Sequence, residues 1–344
     1  MGDPPPETHL DVAGLDLVVR AQSEDDLALL TKVLGRRQFD PGRTSEPLVL
    51  TTAPVGPAVP EREPDFAGPY GDHWYGPEGA HFRHHWGLTA SVGPNGAVLG
   101  GPAEGYRRWV AVRNSMLFVL AHLYLRDRGR PGRRRVEEGA GATPRYLLHA
   151  AAIRLDRGGD GPARCALVVG ESGQGKSTLT YAAIMAGRQV MADDMVVVQP
   201  EGDHVVARGV PRVLTVPSEV LPERAADTEV LPGDDRQRIE LEGHELQPDP
   251  ARITAVVICG HDSGPGRLLP AAGADALDLL VSAFVLSALP APLASWFPTA
   301  AKLANGPVAE LRLACDADRR LRRAAEMLGE LESGHQPQWL SPAT

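Results

Sequence analysis

Apolar positions in the first part of the chain come in short bursts. Leu10, Val12, Leu15, Leu17 and Val19 make a strand-like run over 9–19, and Asp26-Leu27-Ala28-Leu29-Leu30 marks a helix over 25–34. From 46 to 105, Pro and Gly punctuate runs such as Leu48-Val49-Leu50 and Ala97-Val98-Leu99, which predicts short strands joined by turns. Trp109, Val112, Met116, Val119, Leu120 and Leu123 recur at helical spacing and predict a helix over 108–125. The stretch 126–141 lacks apolar periodicity and carries Arg126, Arg128, Arg130, Arg133, Arg134 and Arg135. It reads as a solvated linker, with a docking patch for an acidic peptide as the alternative.

The pattern then changes to strands alternating with helices. Strand-like runs at 146–155 and 165–169 flank a Gly-, Asp- and Pro-containing hairpin loop at 156–164, and a helix is expected over 178–186 with Gly187 as its cap. Strands at 189–192 and 195–199 enclose Asp193-Asp194, and others are expected at 205–207, 213–216, 253–259 and 308–313. The most apolar stretch, 279–289, ends at Pro290 and is far shorter than the ~20 residues that span a bilayer, so it reads as a buried helix. A helix near 318–331 precedes a tail expected to fray. There is no internal repeat. The expected class is α/β, with an α+β domain over 1–140, an α/β domain over 141–333 and a tail over 334–344.

Composition narrows the function classes. With 43% hydrophobic and 23% charged residues the 344-residue chain reads as globular, and its formal charge of -9 argues against a nucleic-acid surface. Cys165, Cys259 and Cys315 form neither a disulfide framework nor a paired metal knuckle. The start Met1-Gly-Asp-Pro-Pro-Pro-Glu has no basic, apolar signal pattern. The expectation is a cytoplasmic protein without membrane or nucleic-acid partners.

The chemistry sits in one segment. Gly170-Glu171-Ser172-Gly173-Gln174-Gly175-Lys176-Ser177, followed by Thr178, matches the phosphate-loop pattern between an apolar strand and a helix. Glycines let backbone N–H groups turn inward around phosphate oxygens, and the helix N-terminus adds partial positive charge. Lys176 would neutralise the outer phosphates and Ser177 would coordinate Mg²⁺. Asp193 and Asp194 follow one short turn and strand later. Successive side chains of an extended chain alternate faces, so one carboxylate can face the metal and the other a hydroxyl acceptor, whose proton it would take.

These residues resemble the kinase domain of the HPr kinase/phosphorylase family, whose nucleotide site is similar to that of ATP-dependent phosphoenolpyruvate carboxykinase. The resemblance lies in Leu148-His149-Ala150, the loop through Ser177-Thr178, and Ala192-Asp193-Asp194, and it covers 146–198 closely and the rest to about 331 in outline. It implies a P-loop kinase domain using ATP and Mg²⁺. By motif, Asp193 is the general base, Lys176 and Ser177 hold phosphate and metal, His149 lies near the transferring phosphate, and Asp194 helps hold the metal. The loop between His149 and Gly170 is longer than in that family, and the C-terminal signature for dephosphorylation by inorganic phosphate is missing. The resemblance therefore carries neither phosphorylase activity nor HPr as the substrate. The first domain looks more like that of divergent relatives found beside genes for peptide modification, and it is assigned acceptor choice. Homo-oligomers such as the family's hexamers stay open.

Outside the loop, Asp72, His73, His81, His84 and His85 lie among Trp74, Tyr75 and Trp86, a polar or substrate-contact loop with a metal site as the sharper alternative. Arg208, Arg212, Arg236 and Arg238 are candidates to contact phosphate or an acidic acceptor. The function expected is phosphoryl transfer from ATP to a serine or other hydroxyl of a peptide, small protein or small molecule. The alternative is a nucleotide-dependent switch or ATPase that drives a partner. The acidic pair follows the loop helix almost at once, and neither an Asn-Lys-x-Asp base-reading motif nor an ABC-type signature is present, which favours the kinase.

Overall fold

The computed structural model of the protein describes residues 4–34, 47–68, 70–76, 79–127, 143–156, 162–210, 214–217, 228–230, 236–239, 249–261, 263–314 and 316–332. The chain separates into two compact units, Met1–Arg145 and Tyr146–Thr344.

The first unit opens with β1 (Glu7–Val12) and β2 (Leu15–Arg20) rather than a single strand. Ala13 and Gly14 both take positive φ, 47° and 86°, and Asp11 Oδ1 accepts the Gly14 N–H at 2.6 Å. Two left-handed residues in succession suit a tight hairpin, because their twist matches that of the strands they join. Helix α1 (Glu24–Leu34) then crosses to β3 (Leu48–Ala53), which pairs parallel with β2. Short strands follow at β4 (Phe66–Gly68), β5 (Gly71–Tyr75), β6 (Ala80–His84), β7 (Thr89–Gly93) and β8 (Gly96–Gly100), giving a sheet of order β1-β2-β3-β8-β7-β6-β5-β4. Helix α2 (Gly105–Asp127) packs on β6, β7 and β8 through a stripe that includes Met116, Phe118, Val119 and Leu123. It extends over Arg126, beyond the expected helix end, while Arg128, Arg130, Arg133, Arg134 and Arg135 lie outside the described residues.

In the second unit the run expected as one strand at 146–155 is two, β9 (Tyr146–Leu148) and β10 (Ala151–Arg154). They pair with different neighbours: β9 with β13 (Val196–Glu201), and β10 with both β11 (Arg164–Val169) and β12 (Val190–Ala192). His149 sits at the break, and its N–H donates to the Ala283 carbonyl at 2.8 Å. Helix α3 (Lys176–Met185) lies between β11 and β12, and Gly187, at φ 70°, closes its end by donating to the Ile184 carbonyl. Next come β14 (His204–Gly209), β15 (Leu214–Pro217), β16 (Thr228–Val230) and β17 (Arg236–Ile239), the last three forming a small separate sheet. The long β18 (Ala251–His261) is followed by β19 (Arg267–Pro270), α4 (Gly273–Ala283), α5 (Pro290–Ala304), β20 (Val308–Leu313) and α6 (Ala317–Glu332). The apolar stretch 279–289 is therefore the end of α4 and a turn, not one helix. Phe284 bridges to Leu148, and Pro290 starts α5, where a missing N–H costs nothing.

The large sheet runs β12-β10-β11-β18-β14-β13-β9, with β20 beside the far half of β18 and β19 beyond it. Strands β11, β18 and β20 are mutually parallel neighbours, so they end at the same edge. On one face α3 and α6 bury Leu179, Ala183, Met327 and Leu328 against Val168, Val257 and Leu311. Helices α4 and α5 contribute Leu280 and Trp296, which pack with Tyr146 and Phe284. Burial on both faces explains why β11 and β18 read as nearly continuous apolar runs. The architecture is mixed α/β with large mixed sheets. Among the described residues no helix is long and apolar enough to cross a membrane.

Candidate active site

Strand β11 delivers the chain to Gly170 at the edge where β18 and β20 also end. The segment 170–175 turns there and runs directly into α3. Gly173 and Gly175 adopt φ of 84° and 94°, in the left-handed region that favours glycine. A Cβ on Gly175 would also stand 2.3 Å from Leu313 Cδ1, at the end of β20. The tight seat and the backbone angle together require glycine at this position.

Lys176 is 7% exposed, and its ammonium donates to the carbonyls of Gly170 at 2.8 Å and Glu171 at 3.1 Å. The lysine thus folds back over the loop that precedes it. Glu171, Ser172 and Gly173 form an exposed rim, while Thr178 is buried in the first turn of α3. Cys259, on β18 beneath the loop, is buried; desolvation pushes its thiol up to about 12, against the smaller opposing effect of the Lys176 charge. It stays a neutral thiol and is a poor nucleophile.

The acidic pair lies just past β12 and its two side chains diverge. Ser177 Oγ donates to Asp193 Oδ2 at 3.1 Å. Asp194 Oδ1 lies 2.8 Å from His149 Nε2. The β9–β10 break places that histidine, since β9 lies against β13, which begins just after Asp194. Thus the acidic pair carries two separate polar contacts near the start of α3, Asp193 with Ser177 and Asp194 with His149.

His261, at the last position of β18, was not among the residues singled out from sequence. Its Nε2 is 3.0 Å from the Gly173 carbonyl. The Gln174 side chain also reaches the end of β18, where its Oε1 would stand 3.9 Å from a Cβ at adjacent Gly260, an ordinary contact. An isolated histidine after an apolar strand gives no sequence signal. Only the parallel pairing of β11 with β18 brings it beside the loop.

Strand register divides the His/Trp segment of the first unit. His73 pairs with Phe82, and Tyr75 with Ala80; Asp72 pairs with Arg83, and Trp74 with His81. Because directly opposed residues share a face, the histidines fall on both sides of the sheet. Among the described residues no group of three or more His, Cys, Asp or Glu side chains could hold a metal ion. Asp72 instead pairs with Arg83 at 2.6 Å. His73, Tyr75, Phe118 and His122 pack ring against ring, and buried His73 Nδ1 and His122 Nε2 have no hydrogen-bond partner among the described residues. Burial lowers His73 and His84 to about 4 and His122 to about 3.

Of the candidate arginines, Arg208 lies 4.0 Å from Glu201, and Arg236 and Arg238 lie on β17; Arg212 is outside the described residues, as is Cys315.

The chain matches no protein-family model and no curated protein. Among solved structures it is similar to the Hpr(Ser) kinase/phosphatase from Coxiella burnetii, at 19% identity and a TM-score of 0.22. That likeness covers 33% of this chain and 58% of the other, so it spans little more than half of that protein. It is a weak and distant likeness to a kinase/phosphatase.

Proposed function

We propose that the chain binds ATP with Mg²⁺ at residues 170–178 and transfers the terminal phosphoryl group to a hydroxyl of a peptide, small protein or small molecule. The observation that carries this reading is the split acidic pair at the root of α3, with Asp193 on Ser177 and Asp194 on His149. A loop that only turned the chain would have no need of a buried lysine folded over it and a carboxylate on the serine that follows, with a second carboxylate and a histidine next along the chain and sheet. The donor set fits the ion, since hydroxyl and carboxylate oxygens are hard ligands and Mg²⁺ takes only one or two carboxylates beside phosphate oxygens and water. When bound, Mg²⁺ would offset charge on the phosphate oxygens.

The residues of the chain then have distinct tasks. The loop N–H groups and the start of α3 attract the phosphates. Lys176 would exchange its two carbonyl partners for phosphate oxygens, and the Ser177 hydroxyl would help hold the metal. The resemblance gives the base role to Asp193, with His149 near the transferring group, and gives Asp194 to the metal beside Ser177. The hydrogen bonds favour a second division, in which Asp193, already on Ser177, stands at the metal, and Asp194 with His149 takes the acceptor proton.

The experiment is incubation of the full chain with ATP, Mg²⁺ and a panel of hydroxyl-bearing peptides and small molecules, read by mass spectrometry. The expected result is addition of one phosphoryl group to an acceptor, abolished by Lys176→Ala. Release of phosphate to water with no acceptor modified would favour the ATPase class. Undiminished transfer by the Lys176 variant would remove the loop from the chemistry.

A further inference from the structure

The phosphate loop is supported from outside the motif. Its tip rests on the last residues of β18 and β20: His261 Nε2 lies 3.0 Å from the Gly173 carbonyl, and Leu313 closes on Gly175. A carbonyl only accepts, so the imidazole must present Nε2–H, whether neutral in that tautomer or protonated. In a trans peptide the C=O and the following N–H point in opposite directions. A partner that holds the Gly173 carbonyl outward, toward β18, therefore turns the Gln174 N–H to the inside of the loop. Within the loop that orientation is held weakly, because Gly173, at φ 84° on one side of the peptide, rotates more freely than other residues. The Gln174 N–H donates to the Glu171 carbonyl at 3.3 Å, a long bond that an incoming phosphate oxygen can replace.

We infer that His261 is a positioning residue for nucleotide binding: by donating to the Gly173 carbonyl it presets the Gly173–Gln174 peptide with its N–H turned toward the phosphates. The inference rests on the ATP-binding reading above and extends it to a residue outside the loop motif. It concerns affinity and not the chemical step, since His261 reaches the loop by its backbone and touches none of His149, Lys176, Asp193 or Asp194 in the hydrogen bonds described. Preorganised donors bind phosphate without first ordering the loop, and that ordering cost returns when the support is removed.

The test compares wild type, His261→Ala and His261→Gln in the full chain, with MgATP affinity from titration calorimetry and kcat from acceptor phosphorylation at saturating ATP. The Gln amide places a donor near the position of Nε2, whereas Ala offers none. His261→Ala is expected to weaken MgATP binding about five- to tenfold, the effect of one lost hydrogen bond, with kcat within twofold. His261→Gln is expected to restore affinity to within about twofold of wild type. Equal affinity in wild type and His261→Ala overturns the inference. So does an equal loss in both variants accompanied by equal falls in melting temperature, which marks a role in folding alone. If wild type itself fails to bind MgATP, the parent reading fails as well; tight wild-type binding that Lys176→Ala abolishes and His261→Ala leaves intact overturns this inference only.

Discussion

Asp193 and Asp194 are adjacent in the chain but have different partners, and their substitutions are separable by what each removes. A positioned base contributes ~10²–10⁴ to transfer with little effect on ground-state binding, whereas a metal-side carboxylate sets the Mg²⁺ requirement. With Asp193 on Ser177, Asp193→Asn is expected to raise the Mg²⁺ concentration for half-maximal rate. Asp194→Asn is expected to cut kcat by ~10²–10⁴ while leaving MgATP affinity within a few fold. Steady-state rates over a Mg²⁺ series check both, and the reverse pattern would restore the division that the resemblance carries. The motif residues were legible because the phosphate-loop chemistry confines them to one short segment. The pairing of each carboxylate was not, because it depends on how β9 meets β13 and β10 meets β12, and the sequence shows only that two neighbours must diverge. His261 was illegible for a related reason, since its partner is a backbone carbonyl.

At the scale of elements, the loop is a strand-to-helix turn whose shape depends on glycine at two positions. Gly175→Ala would force a side chain into φ 94° and to within 2.3 Å of Leu313 Cδ1, and Leu313 is fully buried. Left-handed strain alone costs about 1–3 kcal/mol. The variant is expected to melt several degrees lower and to lose at least tenfold in MgATP affinity, as differential scanning calorimetry and titration would show. An unchanged melting temperature would mean that the turn relaxes without strain. Elements with strong periodicity, such as α2 and β18, were readable from the sequence. Four kinds were not. The 9–19 run concealed a hairpin, because Ala13-Gly14 is a weaker turn signal than Asn-Gly. The 146–155 run concealed a break, because the residues on either side of His149 are equally apolar and buried. The 279–289 stretch was read as a helix because apolar density alone does not separate a helix end from a buried turn. Strands β16, β17 and β19 are too short to show a period.

The first unit as a whole carries a built-in sensitivity to acid. Burial lowers His73 and His84 to about 4 and His122 to about 3, whereas an unfolded histidine titrates near 6.5. Between those values the unfolded chain binds more protons than the folded one, so stability is complete above pH 6.5 and is lost as pH falls. For the well-buried His122 the slope approaches about 1.4 kcal/mol for each pH unit below 6.5. Calorimetry from pH 7 to pH 4.5 should show a falling transition for the first unit, and His122→Leu should flatten that fall. An unaltered slope in the variant would place the acid sensitivity elsewhere.

The supports of the loop also bear on how the second unit must fold. Helix α3 is local in sequence to the loop, but the surfaces that shape its entrance belong to β18 and β20, which reach it only through parallel pairing across long intervening chain. His149 and the acidic pair likewise meet only after β9 has found β13. No early, partly folded form of this unit therefore carries a finished loop. Competence to bind would appear with the last long-range strand pairing, so a ligand that selects the finished loop stabilises only the complete fold and none of its precursors.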